Sequence, residues 1–299
     1  MLNMFSKSKR STFEYEGMNL ELYFATEVLK LNSLHYGLFP EGFKGEFTLA
    51  ALRQAQTAFT ENLLAHLPDD VRTVADIGAG IGDNARALAA KGMAVTAVSP
   101  DKNHTQYYNC EQSSGIDFHN VKFEEFQPSQ KFEAVLFSES LNYMDHNNAL
   151  DKCRQMTDPG KTLLIANMFR LKGKKKYAEN FNIRDLDFVK LAGKYDFELV
   201  ACQDITERTA ANMESVHELL DSKMSELLKI GHFYLRKNGG MKYKFLHFLF
   251  RKQFKKFSKR IEYYKRRSDP ATYCQNCRYV VLKFRRVEEA DLTNCRQAG

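Results

Sequence analysis

The segment most informative about the fold reads Val74-Ala75-Asp76-Ile77-Gly78-Ala79-Gly80-Ile81-Gly82-Asp83. Its first residues are mostly apolar, as in a buried strand, and a glycine-rich turn follows before a helical pattern begins. Glycine lets the backbone turn sharply and approach a ligand closely, because a Cβ at such a position would collide with the ligand. The segment therefore predicts a strand, a tight turn and a helix that together bind a nucleotide-bearing cofactor.

Two details of this motif indicate which cofactor it binds. A dinucleotide-binding turn has the pattern Gly-x-Gly-x-x-Gly, but here the third glycine, Gly82, comes one position early and Asp83 takes its place. Asp76 lies two residues before the first glycine, where a carboxylate would repel a pyrophosphate but attract an amino-acid ammonium group. S-adenosylmethionine carries such an ammonium group, so the motif favours this cofactor over NAD.

Strand-like runs alternate with helical runs from residue 73 onward. This alternation is typical of βαβ units, in which a largely parallel sheet is covered by helices on both faces, so the predicted fold class is α/β. The predicted strands are residues 73–77, 94–98, 121–123, 134–137, 162–166, 198–203 and 279–285. The predicted helices are residues 20–31, 47–67, 84–91, 102–111, 149–156 and 183–192, with a long helical stretch over residues 213–265.

The pattern divides the chain into four segments. Residues 1–70 form an amino-terminal helical cap, and residues 71–205 form the cofactor-binding core. Residues 206–270 are a helical insertion and a candidate substrate lid, and residues 271–299 are the last strand of the core with a tail.

The pattern Asp-x-Gly-x-Gly-x-Gly at residues 76–82 resembles motif I of the class I S-adenosylmethionine-dependent methyltransferases. This resemblance implies a Rossmann-like sheet of seven strands whose last strand is antiparallel. Upstream, residues 34–39 (Leu-His-Tyr-Gly-Leu-Phe) are similar to the amino-terminal loop of cyclopropane-fatty-acid-synthase-like and tocopherol-type methyltransferases. In those enzymes an aromatic residue closes over the cofactor, which implies that role for Tyr36.

The resemblance also implies a set of cofactor-binding residues. Most of the family has an acid after the second strand that binds the ribose, whereas here Ser99 holds that position and Asp101 lies two residues on. Asp101 either contacts the cofactor or caps the following helix. The expected cofactor-binding residues are Tyr36, Asp76, Gly78, Ala79, Gly80, Gly82, Ser99, Pro100, Asp101, Phe123, Glu124 and Ser138.

Residues 137–144 (Phe-Ser-Glu-Ser-Leu-Asn-Tyr-Met) resemble motif IV of small-molecule and lipid methyltransferases. They lack the Asn/Asp-Pro-Pro-Tyr/Phe motif of enzymes that methylate the amines of nucleic-acid bases. Methyl transfer depends mainly on positioning and desolvation, and a base is needed only when the nucleophile carries a proton. Glu139, Tyr143 and His146 are the candidates for chemical roles, against the alternatives of loop capping, packing and solvent exposure.

The net charge of +7 is unevenly distributed. Residues 236–267 contain 13 Lys or Arg and one Glu, a net charge of +12, so the remainder of the chain carries −5. Apolar residues recur within this segment at spacings of four and three, which predicts one apolar helix face among basic ones. The stripe is Leu246, Phe250, Phe254, Phe257, Ile261 and Tyr264.

Several uses of this basic stripe remain open at the level of sequence. It can pack on the domain, roof an apolar substrate pocket, lie on an anionic membrane surface or contact nucleic acid. The resemblance favours a small or lipid-like acceptor. The alternatives are an RNA methyltransferase and a non-catalytic protein that binds membrane or RNA through the basic segment.

The remaining composition suggests a reduced, non-secreted protein. No apolar run reaches the length of about 20 residues that a membrane-spanning helix needs, and the basic amino terminus lacks an apolar signal region. The six cysteines are scattered, and Cys274-x-x-Cys277 has no second pair at zinc-binding spacing, so no metal site is expected. We expect a cytoplasmic protein that is either free or peripheral to a membrane.

Overall fold

A computed structural model describes residues 14–171 except residue 16, residues 185–218, scattered positions between 226 and 266, and residues 268–288. Its core is a seven-stranded sheet in the order β5-β4-β3-β6-β7-β9-β8. A short hairpin, β1 (Glu14–Tyr15) and β2 (Met18–Asn19), precedes it. The sheet strands are β3 (Thr73–Ile77), β4 (Ala94–Val98), β5 (Ile116–His119), β6 (Phe132–Ser138), β7 (Thr157–Arg170), β8 (Phe197–Asp204) and β9 (Cys277–Arg286).

The strand order changes direction at β3. This strand pairs in parallel with β4 on one side and with β6 on the other, and Ile77 lies level with Val98 and Phe137. The last strand, β9, runs antiparallel between β7 and β8. The predicted α/β fold with an antiparallel last strand is therefore confirmed. Chain segments leaving β3 and β6 diverge to opposite faces, which opens a crevice at the carboxyl ends of these strands.

The central strands are apolar on both faces because helices cover both. Side chains alternate between the faces along each strand. Val74 and Leu136 belong to one core cluster, which also contains Phe59 and Tyr279. Ala75, Ile77, Val135 and Phe137 belong to the cluster on the opposite face.

Local signals set the helix ends. Helix α2 begins after Thr48, whose hydroxyl accepts the Ala51 N–H, and α4 begins after Asp145, whose carboxylate accepts the Asn148 N–H. The helices are α1 (Leu20–Tyr23), α2 (Leu49–Leu64), α3 (Asp83–Ala90), α4 (His146–Met156), α5 (Asp185–Ala192), α6 (Thr206–Glu218) and α7 (Pro270–Asn276). Among the described residues, no helix is both long enough and apolar enough to cross a bilayer.

Some predicted elements differ from the structure. The third sheet strand is Ile116–His119 and not residues 121–123, and Phe123 is apolar because its ring packs on Phe137 at 5.6 Å. The helix predicted over 102–111 is two 3₁₀ turns, Lys102–Tyr107 and Glu111–Ser113.

Other expectations fall at the margins of the described chain. The helix predicted over residues 20–31 is α1 followed by the π-helical turn Phe24–Val28. The apolar stripe of the basic segment, Leu246 to Tyr264, lies outside the described residues.

Buried hydrogen bonds hold the segment around Tyr36 against α2 and α6. The Asn212 side chain is fully buried. It accepts the Gly37 N–H at 2.9 Å and donates to the Gly37 carbonyl at 2.7 Å. The Leu38 N–H donates to the Ala55 carbonyl on α2 at 2.7 Å. These hydrogen bonds therefore fix the amino-terminal segment next to the crevice.

We expect Asn212→Ala to lower the free energy of unfolding by about 2–4 kcal/mol, because each buried backbone group left unpaired costs about 1–3 kcal/mol. Urea denaturation followed by circular dichroism measures this change. Asn62→Ala is the control, because Asn62 pairs with Gln203 in a partly buried position, and its cost should be smaller. Equal losses in the two variants would contradict the anchoring role of Asn212.

Candidate functional site

A cavity of about 600 Å³ lies at the carboxyl ends of β3, β4 and β6. Most of the predicted site residues line it: Gly78, Ala79, Gly80, Ser99, Pro100, Asp101, Phe123, Glu124, Ser138, Glu139 and Tyr143. The cavity also has lining residues that were not expected from the sequence: Asn19, Leu22, Leu34, His35, Asp83, Asn84, Val98, His104, Lys122, Ser140 and Met144.

The three glycines after β3 serve different purposes. All have positive φ angles, of +75° at Gly78, +56° at Gly80 and +87° at Gly82, a region that disfavours other residues. A Cβ on Gly78 would overlap the Ser140 side chain, so this glycine permits close packing of the loops after β3 and β6. Gly80 faces the cavity, and a Cβ there would meet only Leu34, at 3.7 Å.

Gly82 does not line the cavity, contrary to expectation. A Cβ at this position would come within 2.9 Å of both Tyr108 and Arg86. Gly82 is also the residue before α3, in the left-handed conformation. Glycine is required at this position because a Cβ would collide with Tyr108 and Arg86 and because the φ angle is positive.

Asp76 is buried beneath the turn, with 1% of its surface exposed. Among the described residues, neither of its carboxylate oxygens has a hydrogen-bond partner. Burial, and next the negative charge of Asp83, raise the pKa of Asp76 to about 8. Asp76 is not itself a lining residue, but Asp83 and His35, which act on it electrostatically, are. A buried carboxylate without donors fits a cationic group of a ligand.

His35 and Asp83 form a buried ion pair in which His35 Nε2 lies 2.7 Å from the Asp83 carboxylate. The other ring nitrogen, Nδ1, lies 2.8 Å from the Tyr36 carbonyl oxygen. Two acceptors require both ring nitrogens to be protonated. Burial alone lowers the pKa of His35, but the charge and hydrogen bond of Asp83 outweigh it, and the pKa lies above its ordinary value. The two charged groups of the pair therefore link the amino-terminal segment to the first turn of α3.

Glu139 follows β6 in the left-handed conformation, with φ +58°. This conformation costs a residue with a side chain roughly 1–2 kcal/mol, and it accompanies a defined placement of the carboxylate. Oε1 accepts the Tyr279 hydroxyl at 2.7 Å and the Tyr36 N–H at 2.9 Å. Burial and the neighbouring Glu139 charge raise the pKa of Tyr279 well above its ordinary value, so the phenol stays protonated and donates. The glutamate that lines the cavity is thus held by two donors.

Besides Asp76, two of the predicted side chains do not line the cavity. The Tyr36 ring is fully buried and packs edge-on against Tyr279, so it does not close over the cavity, and its neighbours Leu34 and His35 line it instead. The His146 ring packs edge-on against Phe188 on α5, 5.7 Å between centroids, and is absent from the lining. A chemical role for His146 does not fit this position. Tyr143 does line the cavity and is 51% exposed.

Phe123 and Asp101 add an aromatic ring and a carboxylate to the lining of the cavity. Phe123 is buried, and the ammonium group of Lys152 lies 5.3 Å from its ring centroid. Asp101 caps the turn that follows β4, because its Oδ1 accepts the Asn103 N–H at 2.9 Å. One of the two roles considered for Asp101 is therefore observed, and it leaves Oδ2 to face the neighbouring His104.

Solved structures with the same fold have different reactions in their titles. They include a geranyl diphosphate C-methyltransferase from Streptomyces coelicolor A3(2), with TM-score 0.60 and 15% identity, over 88% of this chain and 93% of that chain. A cyclopropane synthase from Mycobacterium tuberculosis has TM-score 0.60 and 14% identity, over 85% and 90%. The cyclase SpnF has TM-score 0.61 and 16% identity, over 89% and 94%. At such identities the likeness shows the fold alone, and a comparison with curated proteins gave no match.

The sheet order, the glycine turn and the cavity at the strand ends define the class I methyltransferase fold. Within it, residues 75–165 match the family described as a methyltransferase domain. Residues 75–165 thus form a methyltransferase domain, in agreement with motif I. S-adenosylmethionine is the cofactor of this class.

We expect Asp76→Asn to stabilise the ligand-free protein at pH 8 but not near pH 4. Because the pKa of Asp76 is raised to about 8 on folding, the folded state binds more protons than the unfolded state between these pH values, and stability falls as the pH rises. The asparagine of the variant does not ionise, so the variant does not lose stability through this group as the pH rises. The gain at pH 8 should be on the order of 1 kcal/mol or more, since one unit of pKa shift corresponds to about 1.4 kcal/mol.

Thermal and urea unfolding of both proteins from pH 4 to pH 8 measure this difference. Asp70→Asn, at an exposed position, is the matched control and should not reproduce the gain at pH 8. A wild-type advantage over Asp76→Asn that grows toward pH 8 would contradict the assignment.

Proposed function

We propose that this enzyme transfers a methyl group from S-adenosylmethionine to a small, lipid-like acceptor, and that the cofactor lies across the glycine turn. The observation that carries the proposal is the buried Asp76 carboxylate, which has no donor among the described residues and lies beneath the turn of Gly78 and Gly80. An amino-acid ammonium group would supply the missing donors. The left-handed turn leaves its backbone exposed for a close ligand approach.

The remaining lining residues fit the other parts of the cofactor. Asp83 adds a second carboxylate next to Asp76, although its pairing with His35 offsets its charge. The buried Phe123 offers an apolar face for a purine ring. Ser99 and Asp101 offer oxygens at the end of β4 between these two regions. We assign Asp76, the backbone of residues 78–80, Ser99, Asp101 and Phe123 to cofactor binding, with Pro100, Glu124 and Ser138 on the walls.

When bound, the cofactor supplies a methyl group already activated on a sulfonium. The task of the protein is then to orient the acceptor and exclude water. Glu139 is suited to a further role, since its carboxylate lines the cavity and is oriented by Tyr279 and by the Tyr36 N–H. It either accepts a proton from the acceptor or stabilises a cationic acceptor. Tyr143, half exposed at the same wall, is placed to contact the acceptor at the entrance.

A small acceptor with an apolar part is supported by the apolar side chains of the cavity. Leu22, Leu34 and Met144 line the same cavity as Glu139, and small-molecule sites combine apolar lining with a few polar groups. Two solved structures of the same fold have titles that name small or lipid-related chemistry, a geranyl diphosphate C-methyltransferase and a cyclopropane synthase.

We further propose that the basic segment, residues 236–267, contacts an anionic membrane surface. Its net charge of +12 contrasts with −5 for the rest of the chain. Just before it, Ile230, Phe233 and Tyr234 are each more than 60% exposed, and basic surfaces with exposed aromatic residues favour membrane interfaces. The protein should co-sediment with liposomes of phosphatidylserine at low salt and not with phosphatidylcholine liposomes. Binding to RNA without binding to liposomes would contradict the proposal.

Calorimetry with S-adenosylhomocysteine tests the cofactor site. We expect wild-type protein to bind it and Gly80→Val to lose at least about tenfold in affinity, because a β-branched residue is strained at φ +56° and fills space beside the turn. Gly92→Val is the matched control. Gly92 has φ +82° but no neighbour within 4 Å, so this variant should lose stability and keep its affinity. Unchanged affinity in Gly80→Val would place the cofactor elsewhere.

Glu139→Gln tests the proposed chemistry. We expect it to keep its affinity for S-adenosylhomocysteine and to lose about 10²–10⁴-fold in methyl transfer, the usual cost of removing a general base. Transfer from methyl-labelled S-adenosylmethionine into solvent-extracted lipids and into water-soluble small molecules provides the assay. Glu125→Gln, at an exposed position, is the control. Transfer at the wild-type rate by Glu139→Gln would remove the glutamate from the reaction.

A further inference from the structure

The outer edge of β8 has the features of a strand that pairs with another chain. β8 is the last strand of the sheet, and in the part of the chain that the structure describes no strand pairs with its outer side. Four consecutive uncharged residues, Leu199 to Cys202, lie at its centre. Leu199 is 36% exposed, Val200 is 52% exposed, and Cys202 is exposed as well. An edge strand presents a row of backbone N–H and C=O groups, and apolar residues beside them favour pairing with a further strand.

The opposite edge of the sheet lacks these features. β5 is four residues long, half the length of β8. It also carries an exposed carboxylate, Asp117, which lies 2.9 Å from His119 Nε2. Short strands and charged side chains protect sheet edges from pairing with other chains. The comparison therefore identifies β8 as the edge that is suited to bind a partner.

A β-bulge gives β8 a symmetric pattern of side-chain directions. The bulge lies between Leu199 and Ala201, at the centre of the strand. The partners on β9 of the residues that flank it are an even number of positions apart: Phe284 for Leu199 and Leu282 for Cys202, and Arg285 for Glu198 and Val281 for Gln203. Leu199 and Cys202 therefore lie on one face of the sheet, although in a regular strand a separation of three residues places side chains on opposite faces. Glu198 and Gln203 share the other face.

This symmetric pattern fits antiparallel pairing of β8 with a second copy of itself. Two such strands are related by a two-fold axis perpendicular to the sheet, and each residue lies opposite a residue on the same face. An axis between Val200 and Ala201 would pair the whole strand, Phe197–Asp204, from end to end. The opposite residues would be Phe197 and Asp204, Glu198 and Gln203, Leu199 and Cys202, and Val200 and Ala201.

The charges of the strand also fit this register. Glu198 of one copy lies opposite Gln203 of the other, so no two carboxylates of the strand face each other. Moving the axis by half a residue toward the carboxyl end would place Glu198 opposite Asp204, and like charges directly opposite each other destabilise a sheet. Both side chains also keep partners within their own chain, Arg285 for Glu198 and Asn62 for Gln203.

We propose that β8 binds β8 of a second copy of this chain, so that the two sheets join across a two-fold axis between Val200 and Ala201. No residue of β8 lines the cavity, so the pairing leaves the cavity of each copy accessible and is independent of the proposed reaction. Pairing of two strands buries an area at the low end of protein interfaces, and we therefore expect the dimer to dissociate in the micromolar range.

Sedimentation velocity between about 1 and about 100 µM tests this dimer. Wild type should shift from monomer to dimer over this range. Val200→Lys should stay monomeric, because the two-fold axis brings the two lysines close together and like charges repel across a strand pair. Val28→Lys is the matched control. It places the same charge at another exposed valine, in the amino-terminal π-helical turn, and should dimerise as wild type does.

A disulfide test measures the register. Leu199→Cys places a thiol opposite Cys202 of the second copy, so mild oxidation should give a covalent dimer on a non-reducing gel. Within one strand, residues three positions apart are separated by about 10 Å, which is too far for a disulfide. The bond must therefore join two copies. The double variant Leu199→Cys, Cys202→Ser should give no more covalent dimer than wild type.

Three results would overturn the inference. The first is wild-type protein that is still monomeric at about 100 µM. The second is a dimer that persists in Val200→Lys, because it would use another surface. The third is a yield of covalent dimer in Leu199→Cys no higher than in the double variant. Circular dichroism establishes that the variants are folded, and the disulfide test gives a reading even if Val200→Lys does not fold.

Discussion

The site depends on the parallel pairing of β3 with β4 on one side and with β6 on the other. This pairing ends the three strands at one level, with Ile77 beside Val98 and Phe137. A different type of functional group follows each of the three strands at this edge of the sheet. After β3 comes a turn with exposed backbone, after β4 a polar pair, and after β6 a carboxylate in a left-handed conformation. A shift in the register of either pairing would separate these groups.

Three acids lie near the cavity: Asp76 and Glu139 are buried, and Asp83 is partly buried. Asp83 is paired with His35, Glu139 accepts two hydrogen bonds, and Asp76 has no donor among the described residues. Burying carboxylates is costly unless they are paired. The amino-terminal segment stabilises the carboxylates of Asp83 and Glu139, because it contributes His35 and the Tyr36 N–H, and α6 anchors this segment through Asn212.

The sequence predicted best the features that depend on local pattern. The bounds of β3 and β4 agree with prediction, because buried parallel strands are short apolar runs that end at glycine or proline. The edge strand β5 was misplaced: its alternating Ile-Asp-Phe-His sequence is only four residues long, and Phe123 is apolar because it packs on Phe137. The direction of the Tyr36 ring and the position of His146 depend on packing between distant elements, which a short motif does not encode.

His35 and His104 both line the cavity but were missed for different reasons. The role of His35 depends on its pairing with Asp83, nearly fifty residues later in the chain, and on its stacking against Phe59. His104 was within reach of sequence reasoning, since it lies five residues after Ser99 in the turn where the ribose ligand was sought.

The protonation of Asp76 has a consequence for the thermodynamics of ligand capture. Near neutral pH the buried Asp76 carboxyl group holds a proton, and a cationic ligand that paired with this group would displace the proton into solvent. Binding of such a ligand and release of the proton would then promote each other by the same factor. Acidification would then weaken the binding of such a ligand, and this dependence on pH would extend up to about pH 8.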